Sequence, residues 1–215
     1  MRRVWSPAGF RDPAHSDQWR EAAANMVERY AVGLDPDAVP PGVERTVAFR
    51  TAGLALSGRV DRIDDRVGTG SEGALIVVDY KTGRRVPDLA DARGSLALAV
   101  YAVATARTLR RPVAEVQLHH VPSRRVVRWR HSVESVERHL RRAEDVGAEL
   151  AAAHAAWPDL QQRGPAAIDA AFPPDPGSGC SWCDLRAHCP EGRQVSVALP
   201  PWAGIDDDPP SSPDT

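Results

Sequence analysis

The chain has 215 residues, 42% hydrophobic and 26% charged, enough apolar material for the core of one domain of ordinary size. No apolar run approaches the ~20 residues of a membrane span. The opening Met1-Arg-Arg-Val-Trp-Ser-Pro lacks the apolar stretch of a secretory signal, and three cysteines do not make a secreted disulfide framework, so a cytoplasmic protein without a membrane partner is expected.

In chain order, residues 17–31 read as a helix, with Ala23, Ala24, Val27 and Tyr30 on one face. Asp35-Pro36-Asp37 and Pro40-Pro41-Gly42 then break the chain. From Val43 the period becomes two. Residues 43–50 form a strand, Thr51-Ala52-Gly53 a tight turn and 54–63 a second strand. A polar, Gly-rich loop at 64–73 leads to a third strand, 74–80. Its Leu-Ile-Val-Val run is apolar on both faces and so belongs near the centre of a sheet. These three strands are expected to form an antiparallel meander. An Ala-rich helix at 95–109 should pack on the sheet, two further strands follow at 113–121 and 125–130, and Ser132 caps a helix running to about Trp157. Val136, Leu140, Ala143, Gly147, Leu150 and Trp157 share one face of that helix. The order is that of an α/β (α+β) domain with a mixed sheet of about five strands flanked by helices. The tail, 198–215, holds five prolines and four aspartates with no Lys or Arg, and reads as disordered.

That tail alters the charge argument. The formal net charge is −2, but four of the 29 acidic residues lie in the tail, leaving 25 against 27 bases in the body. The stretch from Arg107 to Arg142 holds ten arginines and three glutamates. It suits either the tracking of a phosphate backbone or plain solvated faces.

Of the 27 basic residues, only Lys81 is a lysine. It follows the third strand in Val77-Val78-Asp79-Tyr80-Lys81-Thr82-Gly83. Asp79 and Lys81 are two apart on an extended chain, so their side chains share a face. The preceding strand ends Gly58-Arg59-Val60-Asp61-Arg62-Ile63-Asp64, and pairing through the 64–73 loop would lay Asp61 beside Asp79. Two close carboxylates repel unless a cation sits between them, and hard oxygen ligands select Mg²⁺ or Mn²⁺. Such a metal binds a phosphoryl oxygen and generates hydroxide. A nearby ammonium orients water and stabilises developing charge, and lysine, unlike arginine, can give up its proton. The plain alternative is a surface ion pair between Asp79 and Lys81.

Gly-Arg-Val-Asp-Arg-Ile-Asp at 58–64, a hydrophobic strand, and Asp-Tyr-Lys-Thr-Gly at 79–83 resemble the RecB-like exonuclease branch of the PD-(D/E)XK nuclease superfamily. The resemblance runs from about Val43 to Cys189. It implies a restriction-endonuclease-like core and a Mg²⁺- or Mn²⁺-dependent nuclease acting on DNA in recombination or repair. Asp61, Asp79 and the Tyr80 carbonyl would be metal ligands and Lys81 the catalytic lysine. Asp64 would either support the site or serve a turn. The resemblance also implies a Gln four residues before a Tyr on the following helix. Tyr101 is present, but Ala97 stands at the Gln position. A metal-binding His is implied upstream, where only His15 is found, either as that ligand or as an ordinary surface residue. Glu44 is read as structural. Arg124, Arg125, Arg128 and Arg130 are candidates to grip DNA. With no Walker A sequence the chain is itself no helicase, but a helicase is a candidate partner.

Cys180, Cys183 and Cys189 have the spacing C-x₂-C-x₅-C. A branch of RecB-like nucleases ends this way, with a fourth, upstream cysteine completing a [4Fe–4S] cluster. This sequence has none upstream. Either a natural N-terminal segment is missing, or the cluster is lost, or another residue completes it. A zinc site with His188 and three unliganded thiols are the alternatives. His119 and His120, adjacent on a strand, should face opposite ways and so share no metal. The expected divisions are a helical segment over 1–42, the nuclease core over 43–160, a linker and cysteine cluster over 161–197, and the tail. The rival to catalysis is an impaired nuclease fold that binds DNA or a partner without cutting.

Overall fold

The computed structural model describes residues 4–67, 73–200 and 202–205. They fall into two compact units, one built on 18–148 and the other on 7–17 with 149–205.

The first unit is built on a five-stranded mixed sheet in the order β1-β2-β3-β4-β5. β1 (Gly42–Arg50), β2 (Ala55–Asp65) and β3 (Leu75–Lys81) form the expected antiparallel meander. The β1–β2 turn is closed by the Thr51 amide, which donates to the Leu54 carbonyl at 2.8 Å, and by the Thr51 hydroxyl, which accepts the Leu54 amide at 3.1 Å. β3 lies at the centre, and its Leu75, Val77 and Val78 are fully buried. It pairs in parallel with β4 (Val113–His120), which pairs antiparallel with β5 (Arg125–Trp129). A parallel neighbour requires a crossover. It is made by α2 (Leu89–Gly94) and α3 (Leu96–Leu109).

Both crossover helices start on side-chain caps. Asp88 and Asp91 form a reciprocal capping box on α2, and Ser95 Oγ accepts the Leu98 amide at the start of α3. α3 lies against β1 to β4, and its Leu98, Ala102 and Ala104 join Val47, Val60, Ile63, Leu75, Val77, Val116 and Leu118 in one core. α2 is a helix that hydrophobic periodicity does not register, because its six residues are too few to show a period.

Two helices cross between the units. α1 (Pro13–Ala31) starts four residues earlier than its apolar pattern. Asp12 Oδ1 accepts the His15 amide at 2.8 Å and Pro13 occupies the first turn, where its missing N–H costs nothing. α4 (Val133–Arg163) starts at Ser132, whose hydroxyl accepts the Ser135 amide at 3.2 Å, and continues through Pro158 rather than stopping at Trp157. Its apolar face is covered at Ala143 and at Gly147, which adjoins Leu54. Leu150, in the second unit, is 66% exposed, and Trp157 packs against Phe172 there.

The rest of the second unit comprises α5 (Pro165–Ala171), two 3₁₀ turns (Ser178–Trp182 and Arg186–His188) and α6 (Pro190–Val195), with the last three packed together. Of the tail, Trp202 Nε1 donates to the Gly9 carbonyl at 2.9 Å, while 201 and 206–215 lie outside the described residues. No helix among the described residues is long and apolar enough to cross a membrane.

Candidate active site

The strand registers bring the two sequence segments together. Arg62 pairs with Val78 and Ile63 with Val77. One step further the same register sets Asp61 opposite Asp79. Pairing stops there, and the Asp61 carboxylate replaces it by accepting the Tyr80 amide at 2.7 Å. β2 is irregular at this point. Gly58, beside the Tyr101 ring, and Val60 turn toward α3, yet Ile63, three residues after Val60, is buried in the same core. A regular strand would send Val60 and Ile63 to opposite faces, so alternation breaks between them. Across the sheet Val43 pairs with Arg62 and Arg45 with Val60, leaving Glu44 opposite Asp61. Glu44 has φ +47°, in the left-handed region that a non-glycine residue rarely occupies. Its exposed carboxylate pairs with Arg59 at 2.8 Å.

Asp79 and Lys81 share a face, with the Lys81 ammonium 2.7 Å from Asp79 Oδ2. That oxygen is buried and accepts no aligned hydrogen bond among the described residues, so the ion pair alone compensates it. Lys81 is half-exposed while Asp79 is largely covered. The amide and carbonyl of one strand residue point to the same side. The Tyr80 amide points toward β2, so its carbonyl does too, beyond the last β2–β3 pair. Two carboxylates, one with a poorly satisfied buried oxygen, and a strand-end carbonyl are a hard-oxygen donor set that fits Mg²⁺ or Mn²⁺.

Tyr101 packs over Gly58. A Cβ on Gly58 would stand 2.3 Å from Tyr101 Cε1, which explains the glycine three residues before Asp61. Ala97 precedes it by one helical turn. Asp64 points elsewhere. It pairs with Arg62 at 2.9 Å, and Arg62 Nη1 donates to the Tyr80 hydroxyl at 2.7 Å, on the face opposite Asp79 and Lys81. There a chain of hydrogen bonds crosses the sheet. The Tyr30 hydroxyl donates to His119 Nδ1, His119 Nε2 donates to Gln117 Oε1 at 2.6 Å, and Gln117 Nε2 donates to Glu115 Oε1 at 2.6 Å. Burial, with the charges of Arg62 and Arg128, holds His119 near pKa 4, and burial raises Tyr30 to about 12, so both are neutral.

His120 turns to the other face, as the alternation of strand residues requires, and pairs in register with Lys81. It is buried. Its Nε2 donates to the Gly83 carbonyl at 2.7 Å, and Nδ1 faces the Ser123 hydroxyl at 2.7 Å. It therefore pins the turn that leaves Lys81. Nothing local in the sequence marks it for this task, since the contact depends on the β3–β4 register.

The arginine candidates divide. Arg124, with φ +59°, and Arg125, paired with His120, lie at the Lys81 end of the sheet. Arg128 and Arg130 lie further along and face Glu115 at 3.8 and 3.6 Å.

The remaining candidates belong to the second unit. His15 is a buried residue rather than an ordinary surface one. Its Nδ1 accepts the Arg11 amide at 3.3 Å and its ring meets Phe10 and Trp202 edge-on. Cys180 Sγ accepts the Gly177 amide at 3.3 Å and Cys189 Sγ the Gly192 amide at 3.2 Å, and both sulfurs flank Gly192. Cys183 and His188 are exposed. Among the described residues no group of three or more His, Cys, Asp or Glu is gathered to hold a metal. With three cysteines in the whole chain, these residues do not fit a four-thiolate cubane, and neither the iron–sulfur nor the zinc expectation finds an assembled shell.

No curated protein matches the chain. A family model described as the PD-(D/E)XK nuclease superfamily matches residues 1–190, a span that holds the whole sheet, Asp61, Asp79, Lys81 and the three cysteines. The chain belongs to the PD-(D/E)XK nuclease superfamily.

Proposed function

We propose that this chain is a deoxyribonuclease of the RecB-like exonuclease branch, dependent on Mg²⁺ or Mn²⁺ and working in the cytoplasm beside a helicase in recombination or repair. Members of the superfamily are typically metal-dependent phosphodiester hydrolases. The observation that carries the reading is the seating of Asp61 on the Tyr80 amide, between Asp79 and Lys81 in sequence, at the point where β2 leaves β3.

Asp61, Asp79 and the Tyr80 carbonyl would hold the metal. When bound, it would polarise a phosphoryl oxygen and acidify water. The chain's own part is then defined. The Tyr80 amide fixes one Asp61 oxygen and leaves the other to coordinate. With a cation shared by Asp79, the carboxylate's hold on Lys81 would weaken, and the ammonium would be free to orient water and to offset charge on the pentavalent transition state. Arg124 and Arg125, at the same end of the sheet, would steady the DNA backbone.

The test is cleavage of single- and double-stranded DNA with Mn²⁺ by the purified chain and by Lys81→Ala. Metal-dependent cutting by the wild type alone is the expected result. Equal background cutting by both proteins would leave a nuclease fold that binds without cutting.

A further inference from the structure

A cavity of about 430 Å³ opens directly beside Lys81, lined by Arg84, Arg85, Pro87, Asp91 and Leu118. We infer that this cavity is the subsite for one nucleotide of the substrate strand, its phosphate held by Arg84 and Arg85 and its sugar or base resting on Pro87 and Leu118. The inference rests on the nuclease reading of the neighbouring site and names where the strand continues past the scissile phosphate.

Size, charge and shape argue together. Small-molecule sites run from about 300 to 1,000 Å³, so the cavity is too roomy for a lone phosphate ion and suits a nucleotide unit. Its charged lining is Lys81, Arg84, Arg85 and Asp91, with the Lys81 ammonium 2.7 Å from Asp79 Oδ2. The Asp91 carboxylate is committed elsewhere. It accepts Arg85 Nη1 and Nη2 at 2.8 and 2.6 Å, and its Oδ2 also accepts the Asp88 amide at 2.8 Å. It orients Arg85 rather than facing the cavity with unused oxygens. A guanidinium has five N–H donors, so two bonds to Asp91 leave three for a phosphate.

Pro87 and Leu118 are both buried and supply an apolar floor, the complement of the cationic wall that a single strand requires. The wall is also placed. The turn after Lys81 is fastened at the Gly83 carbonyl by buried His120, one residue before Arg84. A fixed turn presents Arg84 at a set distance from Lys81, as a strand with a regular phosphate spacing demands.

The experiment follows binding of a fluorescein-labelled oligothymidylate 12-mer by anisotropy, without divalent metal, over 50–200 mM salt, alongside Mn²⁺-dependent cleavage kinetics. The proteins are wild type, Arg84→Gln and, as a control, Arg50→Gln. Arg50 is exposed and lies six residues along β1 from the position opposite Asp61, about 20 Å away. The expected result is a several-fold weaker Kd for Arg84→Gln, with the slope of log K against log salt shallower by about 0.7, one single-strand phosphate contact, and a loss of kcat/KM carried by KM. Arg50→Gln should match wild type. A wild type that cuts DNA while Arg84→Gln keeps the wild-type slope and KM overturns the subsite alone. So does an equal change in both variants. A wild type that neither binds nor cuts the oligonucleotide overturns the nuclease reading and the subsite with it.

Discussion

The backbone amide of Tyr80 donates to the carboxylate of Asp61 at 2.7 Å, so a side chain of β2 completes the ladder that its own backbone abandons. The carboxylate thus has a structural and a chemical task, and they separate by substitution. Asn at position 61 keeps an acceptor for the amide but lacks the charge to hold a cation. Asp61→Asn should leave the urea midpoint within the equivalent of about 1 kcal/mol, since a neutral hydrogen bond replaces a charge-assisted one. Mn²⁺-dependent cleavage should fall at least about a hundred-fold, because even residues one shell out from a metal cost 10–100-fold. A variant that unfolds in step with its loss of activity would assign Asp61 to the fold alone.

Lys81 is the only lysine in a chain with 26 arginines, and it bonds Asp79 from a half-exposed position. A plain ion pair would accept arginine, with its better fork geometry for a carboxylate. A group that must release a proton or move as a compact point charge would not. Lys81→Arg should therefore fold with unchanged thermal stability and lose on the order of 10²–10⁴ in cleavage rate, the range of a positioned proton-transfer group. Wild-type cleavage by Lys81→Arg would return the residue to the status of a surface ion pair.

Gly58 is the first residue of the Gly-Arg-Val-Asp segment, and its reason is steric. An added Cβ would meet the Tyr101 ring at 2.3 Å, well inside contact distance, and a ring packed on the core has little room to retreat. Gly58→Ala should cost about 1–3 kcal/mol by overpacking, read from the urea midpoint. In a Tyr101→Leu background the same change should cost less, because the clashing ring is gone. Equal costs in both backgrounds would show that Tyr101 is not what Gly58 accommodates.

The parts of this molecule that were legible in sequence are those written locally. A period of two marked the first two strands and an apolar run the third, and Asp79 and Lys81 share a face because they are two apart. A hairpin lays Asp61 beside Asp79, and the β2–β3 register, continued one residue past the Arg62–Val78 pair, sets the two opposite. What escaped depends on long-range pairing. His120 gains its role only because β4 lies parallel to β3 in a register that sets it beside Lys81. Asp64 follows Asp61 in the same segment, yet it is three residues further along an extended chain, an odd step that sends it to the other face with Arg62 and Tyr80. The capping box of Asp88 and Asp91 was a local signal for α2, obscured by the shortness of that helix.

The network behind the sheet adds a pH dependence. His119 is 7% exposed, and burial together with Arg62 and Arg128 lowers its pKa to about 4 from 6.5. A depressed histidine binds protons more readily unfolded than folded, so acid favours unfolding. The contribution is present above about pH 6.5 and is lost as pH falls from there toward 4. A shift of that size removes about 2 kcal/mol of stability between pH 7 and 4.5. Protonation would also place a second donor at Nδ1, against the Tyr30 hydroxyl, which would have to turn and accept. Urea midpoints between pH 7 and 4.5 should therefore fall for the wild type and fall by less for His119→Gln, which has no titrating ring. Parallel curves for the two proteins would mean that the imidazole takes up its proton in the folded state as easily as in the unfolded chain, and that the Tyr30–His119–Gln117 chain is open to water.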